Sequence, residues 1–169
     1  MKILHTADIH LRELHDERWK TLEKLIDVGK KEKIDFLVVS GDLFDEGIDA
    51  EKLRKHIREL FSKNGFKILI IPGNHDEGSF ETGLYFGEDA IILNDTTPQD
   101  FRDVRIIGVP YESIESEDVF SKIQSIKTSL TGDKTNILIY HGELLDLFFS
   151  REDFGDEGPF APFGKNRPA

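Results

Sequence analysis

The sequence predicts an α/β protein with a parallel sheet at its centre. Short runs of aliphatic residues alternate with amphipathic helices over the first 71 positions. The middle run is apolar without alternation, as expected of a strand buried on both faces. A βαβαβ order of this kind implies parallel strands joined by right-handed crossovers.

Lys2 to Thr6 reads as the first strand. Trp19, Leu22, Leu25 and Ile26 then repeat at helical spacing ahead of Gly29. Phe36 to Ser40 is the second strand, with Leu37, Val38 and Val39 consecutive. Ala50, Leu53, Ile57, Leu60 and Phe61 form the next helical stripe, which Asn64-Gly65 stops. Phe66 to Ile71 is the third strand, closed by Pro72-Gly73.

After Gly87 the rhythm changes. Ile91 to Leu93 and Val104 to Val109 read as strands joined by a polar loop. Val119, Phe120, Ile123 and Ile126 suggest a helix, and Ile137 to Tyr140 a further strand. From Ser150 periodicity is lost, and 151–169, rich in Gly, Pro and charge, reads as a loop or tail after a domain spanning 1–150. No internal repeat is found.

A chain of 169 residues suits one domain, and 33% charged residues suit a globular protein without a membrane span. There is no cysteine, which excludes disulfides, zinc-thiolate sites and a cysteine nucleophile and makes the cytoplasm the default address. A net charge of −11 argues against wrapping a duplex over a broad basic face. It leaves open phosphodiester chemistry at a cation site, because bound divalent ions invert the local field.

The chemistry lies at the strand ends. The first strand runs into Asp8-Ile9-His10, the second into Gly41-Asp42-Leu43-Phe44-Asp45, the third into Gly73-Asn74-His75-Asp76. The strand at 137–140 runs into His141-Gly142-Glu143. Taken singly, each has a bland reading. Asp8 caps a helix or sits in a turn, Asp42 and Asp45 form a turn after Gly41, Asn74 and Asp76 bond their own backbone, and His141 is a half-buried histidine. Four such groups at the carboxyl ends of four strands are not four coincidental turns, since those ends form the ligand crevice of an open α/β sheet. Carboxylate, imidazole and amide oxygen suit Mn²⁺, Fe²⁺ or Zn²⁺ without singling one out. A carboxylate such as Asp42 can bridge two ions, and such a pair activates water and neutralises the oxygens of an in-line displacement at phosphorus.

In this order, Asp8-x-His10, Gly41-Asp42-x-x-Asp45, Gly73-Asn74-His75-Asp76 and His141 resemble the calcineurin-like metallophosphoesterase superfamily. The start Met-Lys-Ile-Leu-His-Thr-Ala-Asp-Ile-His-Leu and the stretch Val-Ser-Gly-Asp-Leu-Phe-Asp resemble its SbcD-type DNA-repair nucleases. The resemblance implies an α/β/β/α sandwich of two mixed sheets flanked by helices, incomplete at its C-terminal end. It also implies two divalent ions, Mn²⁺ preferred, with Fe, Zn or Mg as alternatives. Asp8 and His10 would hold the first ion, Asp42 would bridge, and Asn74 and His141 would hold the second. His75 would face the scissile phosphate as a catalytic group, with Asp45 and Asp76 behind the ligands. DNA would be the substrate and an SMC-like ATPase the partner, with room for a homodimer.

The chain departs from that pattern in two places. Asp45 stands where archaeal and eukaryotic relatives often have a histidine, which is closer to the bacterial pattern. The family's Gly-His-x-His motif does not follow His141, and His5, His15 and His56 lie in the wrong order and context to replace it. Gly158 to Phe163 does not match the family's continuation either, so a truncated product or a natural short variant is expected. Two other functions stand beside the nuclease: a phosphodiesterase or phosphatase for small-molecule or protein substrates, and a non-catalytic binding module docking through Leu53 to Phe61 or Phe148 and Phe149. Nucleotide-binding glycine loops and a serine elbow are absent from the sequence.

Overall fold

The computed structural model describes residues 1–76, 78–81, 83–111 and 116–142, and the side chains of all of these except 116–120. The expected tail at 151–169, and Glu143, Phe148 and Phe149 with it, lie outside the described residues, as do the side chains of Val119 and Phe120.

Strand β1 (Ile3–Thr6) leads to helix α1 (Glu17–Glu32), β2 (Phe36–Ser40), α2 (Ala50–Leu60) and β3 (Lys67–Ile71). The start of α1 is set by Asp16, whose carboxylate accepts the Trp19 amide at 2.7 Å, with Glu17 adding acidic charge in the first turn. Its end is set by Lys33 in a left-handed conformation, whose amide caps Gly29 and Lys30. The helix therefore continues past Gly29. That glycine lies inside it because a Cβ there would collide with Ile34 and Phe66.

A short 3₁₀ turn (Asn74–Asp76) and a loop lead to β4 (Ala90–Ile92), which is parallel to β3 with no α-helix between them. Then follow β5 (Gln99–Phe101), β6 (Val104–Val109), α3 (Ser116–Ile126), a second 3₁₀ turn and β7 (Thr135–Tyr140). The polar loop expected before β6 thus contains a strand. Gln99-Asp100-Phe101 lacks an apolar run, but it pairs antiparallel with β6, and Asp100 faces its cross-strand partner Arg105.

Two sheets form, β1-β2-β3-β4 and β5-β6-β7. The first is parallel throughout and the second mixed. Alternation along β2 and β3 assigns the layers. Leu37, Val39, Ile68 and Ile70 pack with Trp19, Leu22, Ile26, Leu53 and Ile57 from the helices. Phe36, Val38, Leu69 and Ile71 point the other way, against Val104, Ile106 and Ile139 of the second sheet. Beyond that sheet, Ile107 and Val109 meet Ile126 of α3. The outcome is helix, sheet, sheet, helix, as the resemblance implied. No helix among the described residues is long and apolar enough to cross a membrane.

Candidate metal centre

Past their last residues, β1 and β2 continue side by side as loops. The amides of Asp8, His10 and Leu11 donate to the carbonyls of Gly41, Asp42 and Leu43, and the Asp45 amide returns to Leu11 at 3.0 Å. Gly41 in turn donates to Ile71, joining the end of β3. Asp8, His10, Gly41 and Asp42 all have positive φ, between 51° and 86°. For three non-glycine residues this is a costly conformation, and it persists because the paired loops hold it.

Asp76 fastens these loops from below. Its carboxylate, 2% exposed, accepts the amides of Gly73 at 2.9 Å, Phe44 at 2.8 Å and Leu43 at 3.2 Å. Burial raises its pKa, those three amides pull it down, and the neighbouring Asp42 adds to the rise. Gly73 is required beside it, because a Cβ there would overlap the Asp42 carboxylate.

Above Asp76, donor atoms converge on buried Asp42. Its Oδ1 accepts the His75 amide at 2.9 Å. Its Oδ2 lies 3.8 Å from His10 Nε2 and 3.6 Å from His141 Nε2. Asn74 Oδ1 stands 3.2 Å from that same His141 nitrogen. On the other ring nitrogen, His141 Nδ1 lies 2.9 Å from the carbonyl oxygen of Ser40. A carbonyl only accepts, so Nδ1 carries the proton, and in the neutral ring Nε2 is a lone pair. Three acceptors then face one another, an arrangement that a cation between them would satisfy. Asp8, His10 and Asp42 form a second cluster, with one donor atom from each within 4.8 Å of the others. The donor set thus fits divalent cations on both sides of Asp42.

Asp45 and His75 complete the surroundings. Asp45 lies 3.2 Å from His10 Nδ1, too poorly aligned for a hydrogen bond, and is paired to Arg12 and Arg18. The Arg12 hydrogen bond, with help from Arg18, lowers its pKa to about 2. The carboxylate therefore stays ionised behind the imidazole. It can also group with His10 and His75 as a ligand set of its own. The His75 ring meets His10 edge-on at 4.8 Å, and its buried Nδ1 has no hydrogen-bond partner, with Glu46 3.9 Å away.

All eight residues singled out from the sequence come together here. The sequence reading did not identify Ser40, whose backbone carbonyl orients His141, or the arginine pair on Asp45. A backbone acceptor has no signature in residue type, and two arginines in a charged stretch look like solvated surface. The close-approach glycines did carry a signal, in Gly41-Asp42 and Gly73-Asn74.

Two stacked sheets under helices, with carboxylate and imidazole donors at the strand ends, define the metal-dependent phosphoesterase class. The chain belongs to the calcineurin-like phosphoesterase family, whose profile matches residues 1–161. That family uses a divalent metal pair, and candidate ligands for one are present. The chain is 30% identical over 166 residues to the D subunit of nuclease SbcCD from Staphylococcus saprophyticus, covering 86% of this chain and 43% of that protein. It is 24% identical over 188 residues to the uncharacterized metallophosphoesterase YhaO of Bacillus subtilis (strain 168), covering 96% of this chain and 44% of that one. The chain thus spans under half the length of both relatives. Among solved structures, TT1561 of Thermus thermophilus matches with a TM-score of 0.61 at 16% identity, over 82% of this chain and 66% of that one, a likeness of fold.

Proposed function

We propose that this domain hydrolyses phosphodiester bonds in DNA with a pair of divalent cations, Mn²⁺ preferred, as the N-terminal part (1–150) of an SbcD-type nuclease. The observation that carries the reading is the convergence of His10, Asn74 and His141 on buried Asp42. The identity to one chain of the SbcCD nuclease supports DNA over other phosphodiesters.

In this reading Asp8 and His10 hold one ion, Asn74 and His141 the other, and Asp42 bridges. The pair, when bound, supplies an activated water and charge neutralisation at phosphorus. The protein's own contribution is orientation. Ser40 fixes the His141 tautomer, Asp76 fixes the two loops, and the arginine-held Asp45 carboxylate keeps negative charge beside His10. His75, whose backbone amide is anchored on Asp42, presents its ring to the substrate phosphate and assists the leaving group. With a net charge of −11, substrate capture is local to this centre. An SMC-like ATPase partner and a cytoplasmic setting follow from the same reading.

A hydrolysis panel tests it: single-stranded DNA, duplex ends and small phosphodiesters, each with Mn²⁺, Mg²⁺ and Zn²⁺, and with His75→Ala as control. DNA cleavage by the wild type and none by the variant is the expected result. Cleavage of small esters alone would overturn the DNA assignment, and equal activity in the variant would remove His75 from the chemistry.

A further inference from the structure

Beside the metal centre lies a groove of about 310 Å³, lined by Pro72, Phe80, Glu81, Asn94, Pro110 and Tyr111 among others. It is tied to the centre at two points. Pro72 immediately precedes Gly73-Asn74-His75, and its carbonyl accepts the Tyr111 amide at 3.0 Å. The Tyr111 ring meets the His141 imidazole edge-to-face, with centroids 6.4 Å apart. At 41% exposure, that ring is largely open to an incoming group although it stands beside a candidate ligand.

The chemistry of the walls is selective. Pro72, Phe80, Pro110 and Tyr111 present apolar surfaces, two of them aromatic. No Lys or Arg is among the lining residues, so the groove is no seat for a second phosphate. The polar groups it does have are acceptors. Glu81 is a carboxylate, and Asn94 donates its amide nitrogen to the Phe80 carbonyl at 3.0 Å, leaving its Oδ1 as the acceptor. A planar, apolar group bearing N–H donors matches such walls. In a nucleic acid that group is a base with an exocyclic amine.

We infer that the groove seats the nucleobase next to the scissile phosphodiester, stacked on Tyr111, so that the nucleotide is splayed out of any duplex when it reaches the centre. The inference rests on the nucleic-acid reading above and goes beyond it by naming the residue that selects a base. Tyr111 is then a specificity-determining residue, distinct from the groups that hold the ions.

The test compares an adenine dinucleotide with the same phosphodiester made abasic on one side or the other, in Mn²⁺, for wild type, Tyr111→Ala and Tyr111→Phe. Base stacking of this kind makes loss of the base cost the wild type roughly tenfold in kcat/KM, mainly through KM. Tyr111→Ala is expected to erase that preference and leave the abasic rate unchanged, while Tyr111→Phe retains it. An equal loss on both substrates in Tyr111→Ala would mean that the ring only props His141, and an unchanged preference would mean that the groove is not used; either overturns the inference. If neither compound is hydrolysed, calorimetric titration of the same compounds decides. A base preference lost in Tyr111→Ala upholds the groove while the hydrolytic reading fails, and no preference overturns the groove as well.

Discussion

The imidazole of His141 occupies the space that a Cβ on Gly41 would need: a methyl group there would overlap Nδ1. The ring lies on the β2 end and donates from Nδ1 to the Ser40 carbonyl, which leaves Nε2 toward Asp42 and Asn74. Gly41→Ala must therefore expel the ring, and it also places a side chain at a φ of 86°. The expected outcome is a destabilisation of about 1–3 kcal/mol together with loss of one of two bound Mn²⁺ ions. Urea melts and calorimetric titration read the two effects separately. A variant that melts early yet still binds two ions would show that His141 is no ligand.

Asp76 is the next case, because three backbone amides from two loops depend on one buried carboxylate. Asp76→Ala leaves all three donors without a partner, and each unsatisfied donor costs about 1–3 kcal/mol before water enters. A loss of about 3 kcal/mol or more in unfolding free energy is expected from denaturant melts. A change below about 0.5 kcal/mol would mean that the amides find other partners and that Asp76 is not the fastening.

Much of this was legible in residue type. The first five elements were readable because β2 and β3 are buried on both faces and read as unbroken apolar runs, while α1 and α2 bury one stripe each. Strand β5 was not, since Gln99-Asp100-Phe101 draws its stability from pairing with Val104 to Ile106 and not from local pattern. In the site, ligand-type side chains announced themselves at the strand ends. The devices that aim them are backbone groups or residues distant in sequence: the Ser40 carbonyl lies 101 positions from His141, and Arg12 lies 33 from Asp45. No local window contains both partners of such a contact.

Away from the site, Asp100 offers a pH test. Arg105 grips it with two hydrogen bonds of 2.7 and 2.6 Å, and Lys134 stands 3.3 Å away. The Arg105 bonds, with Lys134, hold its pKa well below the usual carboxylate value of 3.8. A group with a lowered folded pKa binds its proton more readily when unfolded, so its contribution is complete above 3.8 and lost as pH falls through the folded value. Asp100→Asn should thus be the less stable protein at neutral pH, by a small margin because the pair is exposed, and the difference should close in strong acid. Thermal melts across that range check it. A gap that widens on acidification would reverse the assignment.

The last prediction separates the two halves of the metal centre. Asp8 belongs to the cluster with His10 and Asp42, whereas Asn74 faces His141 across Asp42. If Asp42 bridges, its loss removes a ligand from both ions, and the outer residues remove one ion each. Calorimetric titration with Mn²⁺ should then give two ions for wild type, one each for Asp8→Ala and Asn74→Ala, and none bound tightly for Asp42→Ala. The double variant Asp8→Ala/Asn74→Ala should match Asp42→Ala. His75→Ala should keep both ions while losing turnover, because only its backbone amide touches the bridging carboxylate. Should Asp8→Ala and Asn74→Ala both abolish all binding, the two clusters would be one site holding a single ion. Catalysis would then have to proceed at a mononuclear centre, with Asp42 as an ordinary ligand and not a bridge.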